Sequence, residues 1–284
     1  MTASQGRAST PFSLLMAVYE GDNADYFLRA FRSTVNKQTV PPSEVILVED
    51  GPVSLEMCAT IERVASESPA PVKRIKLPAN VGLARALDAG LDECSNELVA
   101  RMDADDISEP RRFEKQLEVI DQGYDIVGTA LVEFVGHELH MVETRIPPID
   151  PIDISRYARF AQPFHHPTVM FRRSMVQAAG GYEDIGPMED YWLFARMLHR
   201  GAKATNIAEP LVKYRVDEGA YARRGGVDKL RTEIGLQVRL HRLGFTNFGQ
   251  FIRNVIVRGG YRLVPEFIRR RAYRRLIANR FAKG

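Results

Sequence analysis

The stretch "LVARMDADDISEPRRF", residues 98–113, places Asp103, Asp105 and Asp106 directly after an apolar, strand-like run. Carboxylates this close repel one another and lose solvation if recessed. Three explanations suit the crowding: a bound cation, a shared catalytic proton, or a solvated turn capping the next helix. In extended backbone, residues i and i+2 share a face, so Asp103 and Asp105 would converge on one ligand. Paired hard oxygen donors suit Mg²⁺ or Mn²⁺, ions that often bridge to phosphate.

Other residues stand where a nucleotide would need them. Ala17, Val18, Tyr19 and Glu20 end the first strand-like run, where backbone and a flat aromatic could flank a base. Asp50 ends the second and precedes Gly51. It could accept hydrogen bonds from uracil or ribose, or form an Asx-type turn. Asn80 and Gly82 precede a helical pattern whose N-terminus favours anions. Arg85, one turn in, could reach a phosphate or the Asp cluster, or serve as a solvated cation. Glu189 and Asp190 open a helical pattern with an apolar face of Leu193, Phe194 and Met197. A general base could sit there, although acids in a first turn also suit the helix dipole alone. Trp192 could stack on a sugar or fill the core. No H-x₃-H or C-x₂-C spacing is present, so zinc is not expected.

These residues need a scaffold, and the pattern supplies one. Short apolar runs at 12–18, 44–50, 72–77 and 97–103 alternate with helical patterns at 24–38, 54–68, 82–94 and 109–121. Ser108 is the expected N-cap of the last, with Pro110 in its first turn. Such alternation predicts an α/β fold, a mainly parallel twisted sheet with helices on both faces. Ligands in these sheets bind beyond the carboxyl ends of the strands, where Glu20, Asp50 and Asp103–Asp106 lie. Strands are expected at 125–135 and 168–173, a Pro-rich connection at 145–153, a helix at 189–201, and one or two strands at 202–216. From 227 the chain reads as helical.

"RMDADDISEPRRFEKQ" resembles the D-x-D region of family 2 glycosyltransferases, in the bacterial exopolysaccharide and O-antigen (amylovoran-type) branch. Five further blocks resemble the same family in order: the segment from "SLLMAVYEGDN" to "EVILVEDGP", "NVGLARALDAGL", "HHPTVMFRRSMVQAAGGYED", "EDYWLFARM" and "YRVDEGAYARRGG". The resemblance covers roughly residues 12–226. It implies a GT-A-type (Rossmann-like) fold and an inverting, metal-dependent sugar transfer from a nucleotide-sugar, most simply UDP-linked. The acceptor is expected to be a saccharide or lipid-linked saccharide in surface-polysaccharide synthesis. Donor contacts would fall on Ala17, Val18, Tyr19, Glu20, Asp50, Asn80, Arg85, Asp103, Ala104, Asp105, Arg223 and Arg224. Asp105 and Asp103 would hold Mn²⁺ or Mg²⁺, and Asp106 would serve the turn. Asp190 would be the general base, with Glu189 as helper and His166 and Trp192 facing the acceptor. Asp217 stands where many relatives carry a metal-binding His after "Y-R-V", and Asp also ligates these ions. Asp88 replaces the usual Asn, which leaves the contact made there open.

A chain of 284 residues is long enough for one large domain and an appendage. The division expected is a glycosyltransferase domain over 1–226, with a nucleotide-sugar half at 12–106 and an acceptor half at 107–226, followed by a basic helical extension over 227–284. Residues 251–284 hold ten Lys/Arg against Glu266; taking that +9 from the total of +3 leaves 1–250 at −6. An apolar and arginine-rich tail suits an anionic membrane surface, or a plain helix packed on the domain, and the acidic body gives nucleic acid no groove. Two cysteines, an N-terminus without an apolar signal segment and no membrane-spanning run suggest a cytoplasmic protein, peripheral on the inner face of the plasma membrane. Two other classes stay open: a nucleotidyltransferase, for which "VYEGDNADY" lacks a phosphate-binding loop, and a non-catalytic saccharide-binding scaffold.

Overall fold

A computed structural model describes residues 10–216 and 227–260. The strands are β1 (Phe12–Tyr19), β2 (Glu44–Asp50), β3 (Val72–Lys76), β4 (Leu98–Arg101), β5 (Ile107–Ser108), β6 (Ile126–Phe134), β7 (Met141–Arg145), β8 (Met170–Arg172) and β9 (Ala204–Arg215). They form one sheet in the order β3-β2-β1-β4-β8-β6-β9-β5, with β7 on β6. The pairings of β3, β2, β1 and β4 are parallel, β8 runs against β4 and β6, and β9 runs parallel to β6. The sheet is therefore mainly parallel, as the sequence pattern predicts.

Helices cover both faces. Side chains of β1 alternate: Leu14, Met16 and Val18 pack with Phe27 and Phe31 of α1 (Ala24–Phe31), Met57 and Ile61 of α2 (Leu55–Glu67), and Phe113 of α4 (Arg112–Ile120). Leu15 points the other way, into a cluster with Leu87 and Leu91 of α3 (Leu83–Asp92) and Leu193, Phe194 and Met197 of α7 (Glu189–His199). Both clusters are almost fully buried, which is why the central strands read as unbroken apolar runs.

Several boundaries depart from the sequence pattern. The helix expected over 24–38 is α-helical only to Phe31 and continues as a π-helix over Arg32–Asn36. There the Ser33 and Thr34 hydroxyls both donate to the Ala30 carbonyl and compete with the helical ladder. Ser108 is not an N-cap: it lies in β5, where its N–H donates to Ser33 Oγ, and α4 starts only at Arg112. The Pro-rich connection contains α5 (Pro151–Ala158), capped by Asp150, which accepts from the Ile152 and Asp153 N–H groups. β7 was not expected, and α6 (Arg173–Ala178) follows β8 directly. The run at 202–216 is one strand, whose register slips opposite Thr129–Leu131 to pass Pro210.

By its internal contacts the chain divides into two compact units, 1–184 with 189–215, and 185–188 with 216–284. In the second, Asn254 of α9 (Phe248–Asn254) donates to Gln237 of α8 (Val227–Arg242), and Arg258, in the π-helical turn Val255–Gly259 after α9, pairs with the buried Glu233 of α8. An Asn247/Gln250 capping box starts α9. Phe248, Ile252 and Ile256 are exposed at four-residue spacing. Among the described residues no helix is long and apolar enough to cross a membrane.

Candidate active site

The carboxyl ends of β1, β2 and β4 and the start of α3 enclose a cavity of about 320 Å³. Its lining includes Ala17, Val18, Tyr19, Asp50, Asn80, Asp103, Ala104 and Asp105, eight of the residues expected to meet a donor. Parallel register explains the convergence: Tyr19 lies beside Asp50, and Leu15 beside Arg101, two residues before Asp103. Glu20 stands outside the lining, exposed in the turn. Arg85 is also outside it, largely exposed, 3.4 Å from Asp184. Asp217, Arg223 and Arg224 lie outside the described residues.

Asp50 does more than close a turn. Its carboxylate accepts from the Val81 N–H at 2.7 Å and the Gly82 N–H at 3.1 Å, tying β2 to the entrance of α3. Gly51 permits this approach: its φ is +83°, and a Cβ there would lie 2.6 Å from the Asn80 nitrogen.

Asp22 is a further carboxylate in the cavity beside Asp103 and Asp105, and sequence reasoning passed over it. The strand-end rule points to Glu20, whereas Asp22, two residues further into the turn, is the acid that lines the cavity. Burial, then the nearby Asp103, push Asp22 up to about 6 against a backbone hydrogen bond from Tyr19. Burial, then repulsion from Asp103 and Asp22, push Asp105 up to about 6. Among the described residues no three carboxylate, imidazole or thiol groups close on a point as a finished metal site. The segment bends at Ala104–Asp105, so simple strand alternation does not describe it.

Asp106 faces inward and is fully buried. It accepts from the Arg215 N–H at 2.8 Å, and burial, then Asp103 and Asp105, hold it well above the ordinary carboxylate range. Arg215 also donates to the Asp105 carbonyl at 3.0 Å and is sandwiched by the Tyr26 and Phe134 rings. From the other side Arg112 donates to the Arg101 carbonyl at 2.8 Å. Gln116, which accepts from Arg112, donates to the Val127 and Thr168 carbonyls. Arg101 is 1 % exposed and pairs with Asp103; its Nε and Nη1 have no hydrogen-bond partner. Although burial opposes its charge, Asp103, Tyr182 and Asp106 keep its pKa raised.

Glu189 and Asp190 lie largely buried in the first turn of α7. Asp190 accepts from Gln162 Nε2 on one oxygen and from the Tyr191 N–H on the other. Burial, then Asp190, push Glu189 up to about 7. His166 is not open to an acceptor. It is buried, its Nε2 is 2.9 Å from the Tyr182 hydroxyl, and its Nδ1 is 3.8 Å from Asp190. Burial, then Arg101, lower its pKa so far that it is neutral at pH 7. Trp192 likewise belongs to the wall: it is 7 % exposed, donates to Glu183 at 2.9 Å and carries Arg196 over its ring. Asp88 accepts from the Tyr182 N–H at 2.8 Å and sits against Gly181, whose φ is +69°. An acid in place of the family's Asn thus anchors the loop before α7.

The model of glycosyl transferase family 2 matches residues 13–180. The chain belongs to that family. This glycosyltransferase is 34% identical over 256 residues to the amylovoran biosynthesis glycosyltransferase AmsE of Erwinia amylovora, covering 89% of this chain and 94% of that one. It is 33% identical to the UDP-Gal:alpha-D-GlcNAc-diphosphoundecaprenol beta-1,3-galactosyltransferase of Escherichia coli, over 94% of this chain and 96% of that one. Among solved structures, the mannosyltransferase PcManGT from Pyrobaculum calidifontis, in complex with GDP-Man and Mn²⁺, superposes with a TM-score of 0.63. That match covers 98% of this chain and 80% of the other at 17% identity, so it is a likeness of fold. The glycosyltransferase thus has the GT-A-type architecture its sequence predicts.

Proposed function

We propose that this enzyme transfers a hexose, with inversion, from a UDP-linked sugar to a lipid-linked saccharide acceptor in bacterial surface-polysaccharide synthesis. The relatives' names support the donor and acceptor classes. The observation that carries the reaction is the pairing of two acidic centres on one scaffold: a cavity with four carboxylates, Asp22, Asp50, Asp103 and Asp105, at the strand ends, and a buried acid pair at the start of α7.

The cavity's donor set fits a hard divalent cation. Asp22 and Asp105 are pushed up to about 6, by burial first and by the neighbouring carboxylates second, so a cation among Asp22, Asp103 and Asp105 would favour their charged form. Asp103 and Asp105 would hold Mn²⁺ or Mg²⁺, and the ion would neutralise the departing diphosphate. Tyr19 and the backbone of Ala17 and Val18 flank the base, and Asp50 shapes the slot by holding Val81 and Gly82 in place. Asp190 accepts the proton of the acceptor hydroxyl as that oxygen attacks the anomeric carbon from the side opposite the diphosphate. The expected donor contacts of Arg223 and Arg224 and the expected metal contact of Asp217 belong to the same reading, on residues outside those described.

We assign the second unit to an anionic membrane surface on the cytoplasmic side. The exposed Phe248, Ile252 and Ile256, together with the basic composition of 251–284, support this. The experiment that tests the function is a nucleotide-sugar panel scored for nucleotide release with and without EDTA. Release from UDP-sugars that EDTA abolishes is the expected result; no release from any donor rejects it.

A further inference from the structure

Glu189 and Asp190 are adjacent in sequence, largely buried and within each other's field. Two negative charges in one poorly solvated enclosure are costly, so such a pair tends to carry a single charge through neutral pH. Which member carries it decides which one can take a proton. We propose that Gln162 is a positioning residue for transfer: its side-chain amide fixes the Asp190 carboxylate and selects it, over Glu189, as the member that stays ionised to receive the acceptor's proton. This rests on the reading of Asp190 as the base.

The geometry is specific. Gln162 Nε2 donates to Asp190 Oδ2, and the Tyr191 N–H donates to Oδ1 at 2.6 Å. An ionised carboxylate only accepts, so the amide must present its nitrogen, and each such bond favours the charged form. For Glu189 the opposing hydrogen bond comes from its own backbone N–H. Gln162 is well anchored for the task. Pro163 restricts it to extended backbone, and the Pro163 carbonyl accepts from Asn206 of β9 at 3.1 Å.

The other groups around the pair do not substitute for it. Arg101 and Asp103, at the end of β4, act on both acids and with opposite sign. The neutral His166 holds its Nδ1 3.8 Å from Asp190, too far for a hydrogen bond, and its Nε2 is engaged by Tyr182. Gln162 is the side chain that distinguishes the two carboxylates by direct contact. Both acids rise with burial, and the Gln162 amide favours the charge on Asp190, which leaves Glu189 to keep the proton.

The test is a carboxyl ¹³C NMR titration of the full chain with labelled Asp and Glu side chains, using Asp190→Asn and Glu189→Gln to identify the two resonances. In the wild type Asp190 ionises first as pH rises. In Gln162→Met, which keeps the length and removes the amide, the Asp190 midpoint moves up by about 1–2 pH units. The acid limb of the pH–rate profile for UDP release from UDP-galactose moves with it. Gln162→Asn is read by the same midpoint should the methionine variant fail to fold. An Asp190 midpoint unmoved in a folded variant overturns the proposal, as does Glu189 ionising first in the wild type. Transfer at the wild-type rate by Asp190→Asn overturns the base assignment, and the selection with it. Loss of transfer there, with an unmoved midpoint in Gln162→Met, overturns the selection alone.

Discussion

At the residue scale, Asp190 and Asp105 ask opposite things of their surroundings. As the proposed base, Asp190 must keep its charge to accept a proton. Removing that charge with Asp190→Asn is expected to lower kcat by about 10²–10⁴-fold, measured as nucleotide release, while the thermal transition stays within a few degrees of the wild type. Asp105 and Asp22 instead hold charge that the fold alone does not compensate. Their folded values of about 6 lie above the ordinary 3.8, so between about pH 4 and 6 the folded chain binds more protons than the unfolded one. Stability then falls as pH rises through that window and levels off above it. Tm without divalent cation is expected to decline from pH 4.5 to 7, and Asp105→Asn to flatten the decline. Added Mn²⁺ at pH 7 should raise Tm in the wild type and much less in Asp105→Asn. Equal Mn²⁺ responses in the two proteins would remove Asp105 from the metal site.

At the element scale, the loop of Asp103–Asp106 is held by side chains that lie behind it. Gln116→Leu is expected to cost about 1–3 kcal/mol for each carbonyl left without its donor, here those of Val127 and Thr168. Gly51→Ala should cost about 1–2 kcal/mol for its left-handed conformation and more for the contact with Asn80. Chemical denaturation reads both. The same scale shows what the sequence could reveal. Runs such as "EVILVED" betray their strands because both faces of the sheet are covered, and Asp50 and Asp103 follow as strand-end acids. The π-helix at Arg32–Asn36 escapes because its hydroxyl bonds to Ala30 leave no mark on the apolar spacing, and the two-residue β5 because its partner is distant in the chain: Ser108 meets Ser33 across 75 positions. Gln162 escapes for the same reason. No spacing rule links it to Asp190, 28 residues on, until the fold brings them together. For Trp192 the sequence leaves stacking on a sugar and filling the core both open, and for His166 it does not reveal burial, since burial is a property of the whole packing.

At the scale of the molecule, acidic and basic regions are segregated, with residues 251–284 carrying +9 against −6 for the rest. The proposed membrane attachment then predicts a dependence on both apolar and charged contacts. Combined Phe248→Ser, Ile252→Ser and Ile256→Ser substitutions are expected to weaken co-sedimentation with anionic vesicles several-fold while leaving nucleotide release in detergent unchanged. Undiminished sedimentation would transfer the role to the remaining basic residues.

The clamps around Asp103–Asp106 have one more implication. Arg112 and Arg215 grip the carbonyls of Arg101 and Asp105 from opposite sides, and Asp106 is locked to β9. Tyr19 and Leu83, exposed at the rim of the same cavity, take no part in these contacts. Substitution there can change what the cavity admits without disturbing its floor. A rigid floor beneath a replaceable rim gives such an enzyme room to diversify as surface polysaccharides change.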